Sequence, residues 1–149
     1  MPMRCEIVTQ DRQLFEGEVD MVVAPGTEGM MGILPNHAPL LTTLAYGELI
    51  VRYGEEEEIF AVAGGVMEVL PGAVVVLADS GELVAEIDEE RAENARRRAE
   101  ELLAQGPPPD TDEYLAIQAS LKRSELWLST ARKHRRKTPR VRIGRNEES

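Results

Sequence analysis

Apolar and polar side chains alternate with a period of two from the start of the chain, Cys5, Ile7 and Thr9 against Arg4, Glu6 and Val8. The same period returns in Val19, Met21 and Val23, and again in Leu49, Val51 and Tyr53, as half-buried strands require. Turn signals interrupt it at Glu16-Gly17, Pro25-Gly26, Tyr46-Gly47, Tyr53-Gly54, Gly64-Gly65 and Pro71-Gly72. This spacing predicts an all-β sandwich of about ten strands over residues 1–86. The four glutamates at 55–58 read as a solvated hairpin tip. The run 73–78 is apolar throughout, which predicts a strand covered on both faces.

The period changes at Asp88. This residue is a natural N-cap, and Glu89 and Glu90 put negative charge in the first turn, where the helix dipole favours it. Ala92, Ala95, Ala99 and Leu102 then recur at helical spacing. Gln105-Gly106-Pro107-Pro108-Pro109-Asp110 ends that helix, since prolines cannot continue it. Asp110 or Thr111 can cap a second helix from about 112 towards 138, with a stripe of Tyr114, Ile117, Leu121, Leu128 and Ala131. The predicted result is an antiparallel α-helical hairpin over 87–138. Its apolar stripes are thin, so it needs a further surface, either the sandwich or another protein. Pro139 ends the second helix, and 139–149 reads as a basic flexible tail.

Charge sharpens this division. The 149 residues carry a net charge of −10, but residues 1–131 hold 9 Lys and Arg against 25 Asp and Glu. Residues 132–145 hold 8 basic residues and no acidic one. A basic end on an acidic body calls for an acidic partner, nucleic acid or protein. Hydrophobic content is 42 % but aromatic content only 4 %, so aliphatic side chains must fill the core. The single cysteine, Cys5, excludes an internal disulfide and fits a reducing compartment. With no signal peptide and no run of about 18 apolar residues, a soluble cytoplasmic protein is expected, reaching a membrane only through a partner.

Catalytic signatures are missing. No Gly-Lys-Ser/Thr phosphate loop occurs, no nucleophile elbow, and two histidines with one cysteine make no metal site. A non-catalytic binding module is expected, with no catalytic residues and no metal. The stretch 28–40 is the densest in backbone signals, with Gly29 and Gly32 three apart, Pro35, and His37 two residues ahead of Pro39. It reads either as a buried β-turn-β corner with a hydrogen-bonded histidine or as an interface loop. Residues 87–92 read either as an ordinary capped helix start or as a place where free N–H groups and Arg91 meet a phosphate.

Gly29-x-x-Gly32-Ile33-Leu34-Pro35-x-His37-x-Pro39-Leu40 resembles the signature of the epsilon subunit of the bacterial rotary F-type ATP synthase. Gly64-Gly65-Val66-Met67-Glu68-Val69 and Ile87-Asp88-Glu89-Glu90-Arg91-Ala92 are similar to that family's second and third motifs, in the expected order. The resemblance implies a sandwich that binds the gamma subunit and c-ring through Gly29, Met30, Gly32, Pro35 and His37, coupling rotation to the alpha/beta catalytic head. It implies a peripheral position on the cytoplasmic face of the bacterial inner membrane. It also implies a hairpin that folds down or extends along gamma, restraining ATP hydrolysis through contacts of the catalytic head with Arg132, Lys133, Arg135 and Arg136. In the folded-down form those cations are expected to face water or the sandwich's own acids at 55–58.

Some family members hold a regulatory ATP that is not hydrolysed, which would fall here on Glu82, Ile87, Asp88, Arg91 and Ala92 with two arginines of the second helix. Anchored on Lys122-Arg123, those two positions are Thr130 and His134, and Arg132 is turned about 200° from Thr130. Weak or no ATP binding is therefore expected, and no other cofactor. Met30 also departs from relatives with an acid there, and the tail beyond Lys137 is longer than the family pattern. The alternative reading is a small β-barrel nucleic-acid-binding protein with a basic C-terminal arm. Against it stand the acidic body and the lack of interleaved aromatics for base stacking.

Overall fold

The computed structural model describes residues 2–106 and 110–137, with side chains through Arg135. The expected basic tail, residues 139–149, lies outside the described residues. Contacts divide the chain between Leu83 and Val84 into two compact units.

The first unit holds eight strands: β1 (Met3–Val8), β2 (Gln13–Val19), β3 (Met21–Gly26), β4 (Gly29–Ile33), β5 (Leu40–Tyr53), β6 (Glu56–Leu70), β7 (Ala73–Ala78) and β8 (Gly81–Leu83). They join in the order β2-β1-β7-β6-β5-β3-β4, and β8 pairs with the first half of β6. All pairs are antiparallel except β1 with β7, which are parallel.

Eight strands form where about ten were expected, because the expected turn at Glu16-Gly17 lies inside β2 and two more lie inside long strands. Gly47 sits within β5 and Gly64-Gly65 within β6, and β5 pairs with β6 from Leu40↔Val69 to Tyr53↔Glu56. These glycines are there for close approach. A Cβ on Gly47 would stand 2.8 Å from the Pro25 Cβ. Gly64 and Gly65 have φ of 86° and 129°, which disfavour any side chain. They mark a change of face. In β6 the core-facing positions are Phe60 and Val62 before the glycines, and Met67 and Val69 after them. In β5 they are Leu44 before Gly47, and Leu49 and Val51 after it. Both strands shift from one parity to the other at the same level, which a plain two-residue period does not allow.

An expected alternation also breaks earlier in the chain. Val19 faces the core, but past Asp20 the inward residues are Val22 and Ala24, so Val23 is not one of them. The expected acidic hairpin tip is also smaller. Only Gly54 and Glu55 turn, and Glu56, Glu57 and Glu58 belong to β6. Cross-strand partners hold them there: Arg52 Nε donates to Glu57 Oε2 at 2.8 Å, and the Tyr53 hydroxyl donates to Glu58. That hydrogen bond, aided by burial, holds the Tyr53 phenol up at about 12. Strand β7 is covered on one face rather than two. Val74, Val76 and Ala78 are buried, whereas Leu77 is 49 % exposed.

A 3-10 turn, Val84–Glu86, opens the second unit, followed by α1 (Glu89–Ala104) and α2 (Thr111–Lys137). Asp88 caps α1 as expected, its Oδ1 accepting the Arg91 N–H at 3.1 Å. Asp110 caps α2, with Oδ1 accepting from the Asp112 N–H at 2.9 Å. The helices pack against each other through Ala92, Ala99, Leu128 and Ala131, all buried. Ala95 and Leu102 are exposed instead, and half-buried Leu103 continues the α1 stripe. With 3.6 residues per turn, 92, 99 and 103 share a face that 95 and 102 leave.

Candidate functional site

The corner at residues 29–39 is built on the last strand of the sheet. Strand β4 pairs with β3 through Pro25↔Met30 and Val23↔Gly32. Gly29 has φ of 132°, a region open to glycine at little cost. Gly32 lies so near Met21 that a Cβ there would stand 2.9 Å from the methionine methyl. Asn36 takes a φ of 72°, the one positive value among described non-glycine residues, as asparagine tolerates in tight turns. The His37 N–H then donates to the Leu34 carbonyl at 3.1 Å.

This corner is exposed, not buried. Met30 is 60 % exposed, Leu34 55 % and Leu41, just past Pro39, 70 %. A groove beside them is lined by Gly26, Thr27, Met30, Met31, Leu41 and Val66. His37 is exposed as well, with Nδ1 2.7 Å from the Ala38 carbonyl oxygen. A carbonyl only accepts, so Nδ1 is the donor in this hydrogen bond. The exposed ring belongs to the same corner as these exposed apolar side chains. Such a cluster suits an interface with another molecule.

The second group of residues is divided between the two units. Glu82 lies on β8 in the first unit, whereas Ile87, Asp88, Arg91 and Ala92 open α1 in the second. Ile87 and Ala92 are buried, and Arg91 is exposed. Thr130 is buried, and its hydroxyl turns back on its own helix, to the Leu126 carbonyl at 2.9 Å and the Trp127 carbonyl at 3.2 Å.

At the end of α2, Arg132 and Arg135 pair with acids of α1. Arg132 Nε lies 3.4 Å from Glu89 Oε1, and its Nη2 3.3 Å from Glu93 Oε1. Arg135 Nη1 lies 2.5 Å from Glu89 Oε2, and its Nη2 donates to the Ile87 carbonyl. On the far side of Glu93, Arg96 forms a further ion pair with it and another with Glu100 at 2.8 Å. The Arg96 hydrogen bond, with help from Arg132, holds the Glu93 carboxyl below its ordinary range. Lys133 is exposed, and the Arg136 side chain lies outside those described. Sequence reasoning missed Glu89 and Glu93 as the partners. The signal was present, because an antiparallel hairpin brings the first turn of one helix to the last turn of the other.

Comparison with known proteins agrees with this architecture. Residues 2–84 match the family model of the ATP synthase delta/epsilon chain beta-sandwich domain, and residues 85–132 match its long alpha-helix domain. An ATP synthase epsilon chain of Dehalococcoides mccartyi is 50 % identical over 141 residues, covering 93 % of this chain and 98 % of that one. A chain in the Euglena gracilis mitochondrial ATP synthase structure, OSCP/F1/c-ring, aligns with a TM-score of 0.66 at 26 % identity, covering 84 % of this chain and 78 % of its own. A chain in the central stalk/c-ring structure of the Tetrahymena thermophila mitochondrial enzyme shares the fold, with a TM-score of 0.59 at 14 % identity, covering 87 % and 96 %. With both units matched and half of the residues identical to a near full-length relative, this chain belongs to the epsilon-chain family of ATP synthases.

Proposed function

We propose that the chain works as a central-stalk subunit whose sandwich binds the gamma subunit and the c-ring, and whose helices restrain ATP hydrolysis. Its membership of the ATP synthase makes it a non-catalytic part of that complex, and the family match favours this over the nucleic-acid alternative. The exposed cluster of Met30, Leu34 and Leu41 around His37 carries the binding half of the reading. Met30 projects from the terminal strand β4, Leu34 from the turn that follows it and Leu41 from the start of β5, so well-formed backbone presents the surface before a partner arrives. Preformed apolar surface loses little entropy on docking. None of the described helices is long and apolar enough to cross a membrane, so attachment at the cytoplasmic face of the bacterial membrane would come through the complex.

The inhibitory half rests on the basic end of α2, Arg132, Lys133, Arg135 and Arg136, which would meet an acidic surface of the catalytic head. Regulatory ATP binds weakly or not at all. Thr130 and His134 stand where phosphate-facing arginines are needed, and the Thr130 hydroxyl is already turned to its own helix. The deciding experiment is capture of purified gamma subunit by this chain. Binding that is lost on changing Leu41 to aspartate supports the reading, and no binding by the intact chain overturns it.

A further inference from the structure

The charged end of the helix pair carries an inference of its own. Arg132 and Arg135 stand three residues apart on α2, and Glu89 and Glu93 four apart on α1, so each pair lies along one helix face. Arg132 spans the two glutamates, and Arg135 reaches both Glu89 and the Ile87 carbonyl. That carbonyl precedes the N-cap Asp88 and lies outside the α1 ladder, so the guanidinium supplies it with a donor. The apolar seam beside this cluster is small, three of its four buried residues being alanine. Alanine buries little area, so ion contacts that are each modest can tip the pairing of α1 with α2.

We propose that Arg132 and Arg135 form a latch with Glu89, Glu93 and the Ile87 carbonyl that keeps α1 and α2 paired, and that an acidic protein surface opens the pair by competing for the same two guanidiniums. The inference rests on the inhibitory reading above and deepens it. A guanidinium fork directed at one set of oxygens cannot serve a second set at once. The latch therefore lowers the population of the binding-competent form and with it the apparent affinity for the partner. The two sides of the same ion pairs must then act in opposite directions. Removing the acids frees the arginines and strengthens inhibition, whereas removing the arginines loosens the pair and abolishes inhibition.

The test uses the full chain with spin labels at Arg98→Cys and Glu125→Cys, both exposed positions on α1 and α2, read alone and in the assembled ATPase. Glu89→Gln with Glu93→Gln should widen the interhelical distance distribution and lower the half-inhibiting concentration by about threefold or more. Arg132→Gln with Arg135→Gln should widen the distances as well but relieve inhibition. Exchanging charges, Glu89 and Glu93 to Arg with Arg132 and Arg135 to Glu, should restore the narrow distances without restoring inhibition, which guards against simple misfolding. Unchanged distances and unchanged inhibition in the glutamine pair Glu89 and Glu93 overturn the latch while leaving the inhibitory reading standing. Hydrolysis indifferent to the arginine variant overturns that reading instead, and the distances alone then decide the latch.

Discussion

Gly65 in β6 lies directly opposite Ala78 in β7, so close that a Cβ on the glycine would stand 2.7 Å from the Ala78 Cα and nearer still to the Leu77 carbonyl oxygen. No flexible side-chain tip is involved, so nothing can swing aside. Gly65→Ala adds this clash to the strain of a φ of 129°, and it should destabilise the sandwich by about 2–4 kcal/mol. Urea unfolding followed by strand circular dichroism measures the loss. A cost below about 0.5 kcal/mol would mean that β6 and β7 separate easily here.

The sandwich should fold without the helices. Among the described residues, its core cluster draws on β1 to β7. A fragment of residues 1–86 is expected to give dispersed amide spectra and to bind gamma as the whole chain does. A molten fragment would show that the core borrows from elsewhere.

Exposed corner residues should separate affinity from stability. His37→Ala and Leu41→Asp remove side chains that face solvent, so stability should change by no more than about 0.5 kcal/mol. Gamma affinity should fall about tenfold or more for Leu41→Asp if that surface is the central contact. Lost stability with unchanged affinity per folded molecule would return the corner to a structural role.

Calorimetry should detect no micromolar ATP binding. Each missing charged hydrogen bond removes roughly 1.5–3 kcal/mol, or about tenfold or more in affinity. Tight binding abolished by Arg91→Ala would show that other side chains replace the missing arginines.

Cys5 should be inert to thiol reagents in the folded chain. Burial, reinforced by Glu6, pushes the thiol from 9.0 up to about 12, so the reactive thiolate is absent near neutral pH. Labelling at pH 8 should track unfolding in urea. The stability tied to the neutral thiol is fully present below pH 9 and is lost as pH rises from 9 towards 12. Rapid labelling under native conditions would place Cys5 at the surface.

The elements most legible in the sequence are those set by local chemistry. Asp88 and Asp110 cap helices because a short carboxylate beside free N–H groups needs no tertiary context. The stripe from Tyr114 to Ala131 follows from helical period alone. Gly47 and Gly64-Gly65 misled because a glycine needed for a change of face looks the same as one needed for a turn. The exposure of His37 was hidden for a related reason, since a framing proline constrains backbone but says nothing of what lies above it. The pairing of Arg132 and Arg135 with Glu89 and Glu93 needed the hairpin's antiparallel geometry, not only the residues in it.

The long pairing of β5 with β6 has a mechanical consequence. The two strands keep one register from Leu40↔Val69 to Tyr53↔Glu56, through the change of face. Sliding one strand past the other would break every rung together and expose both halves of the core, so the pair resists shear as a unit. A sideways load applied at Leu41 is therefore carried to the Gly54 turn with little give along the way. Under the proposed central-stalk role, that stiffness limits how much of each rotary step is absorbed as elastic wind-up within the sandwich.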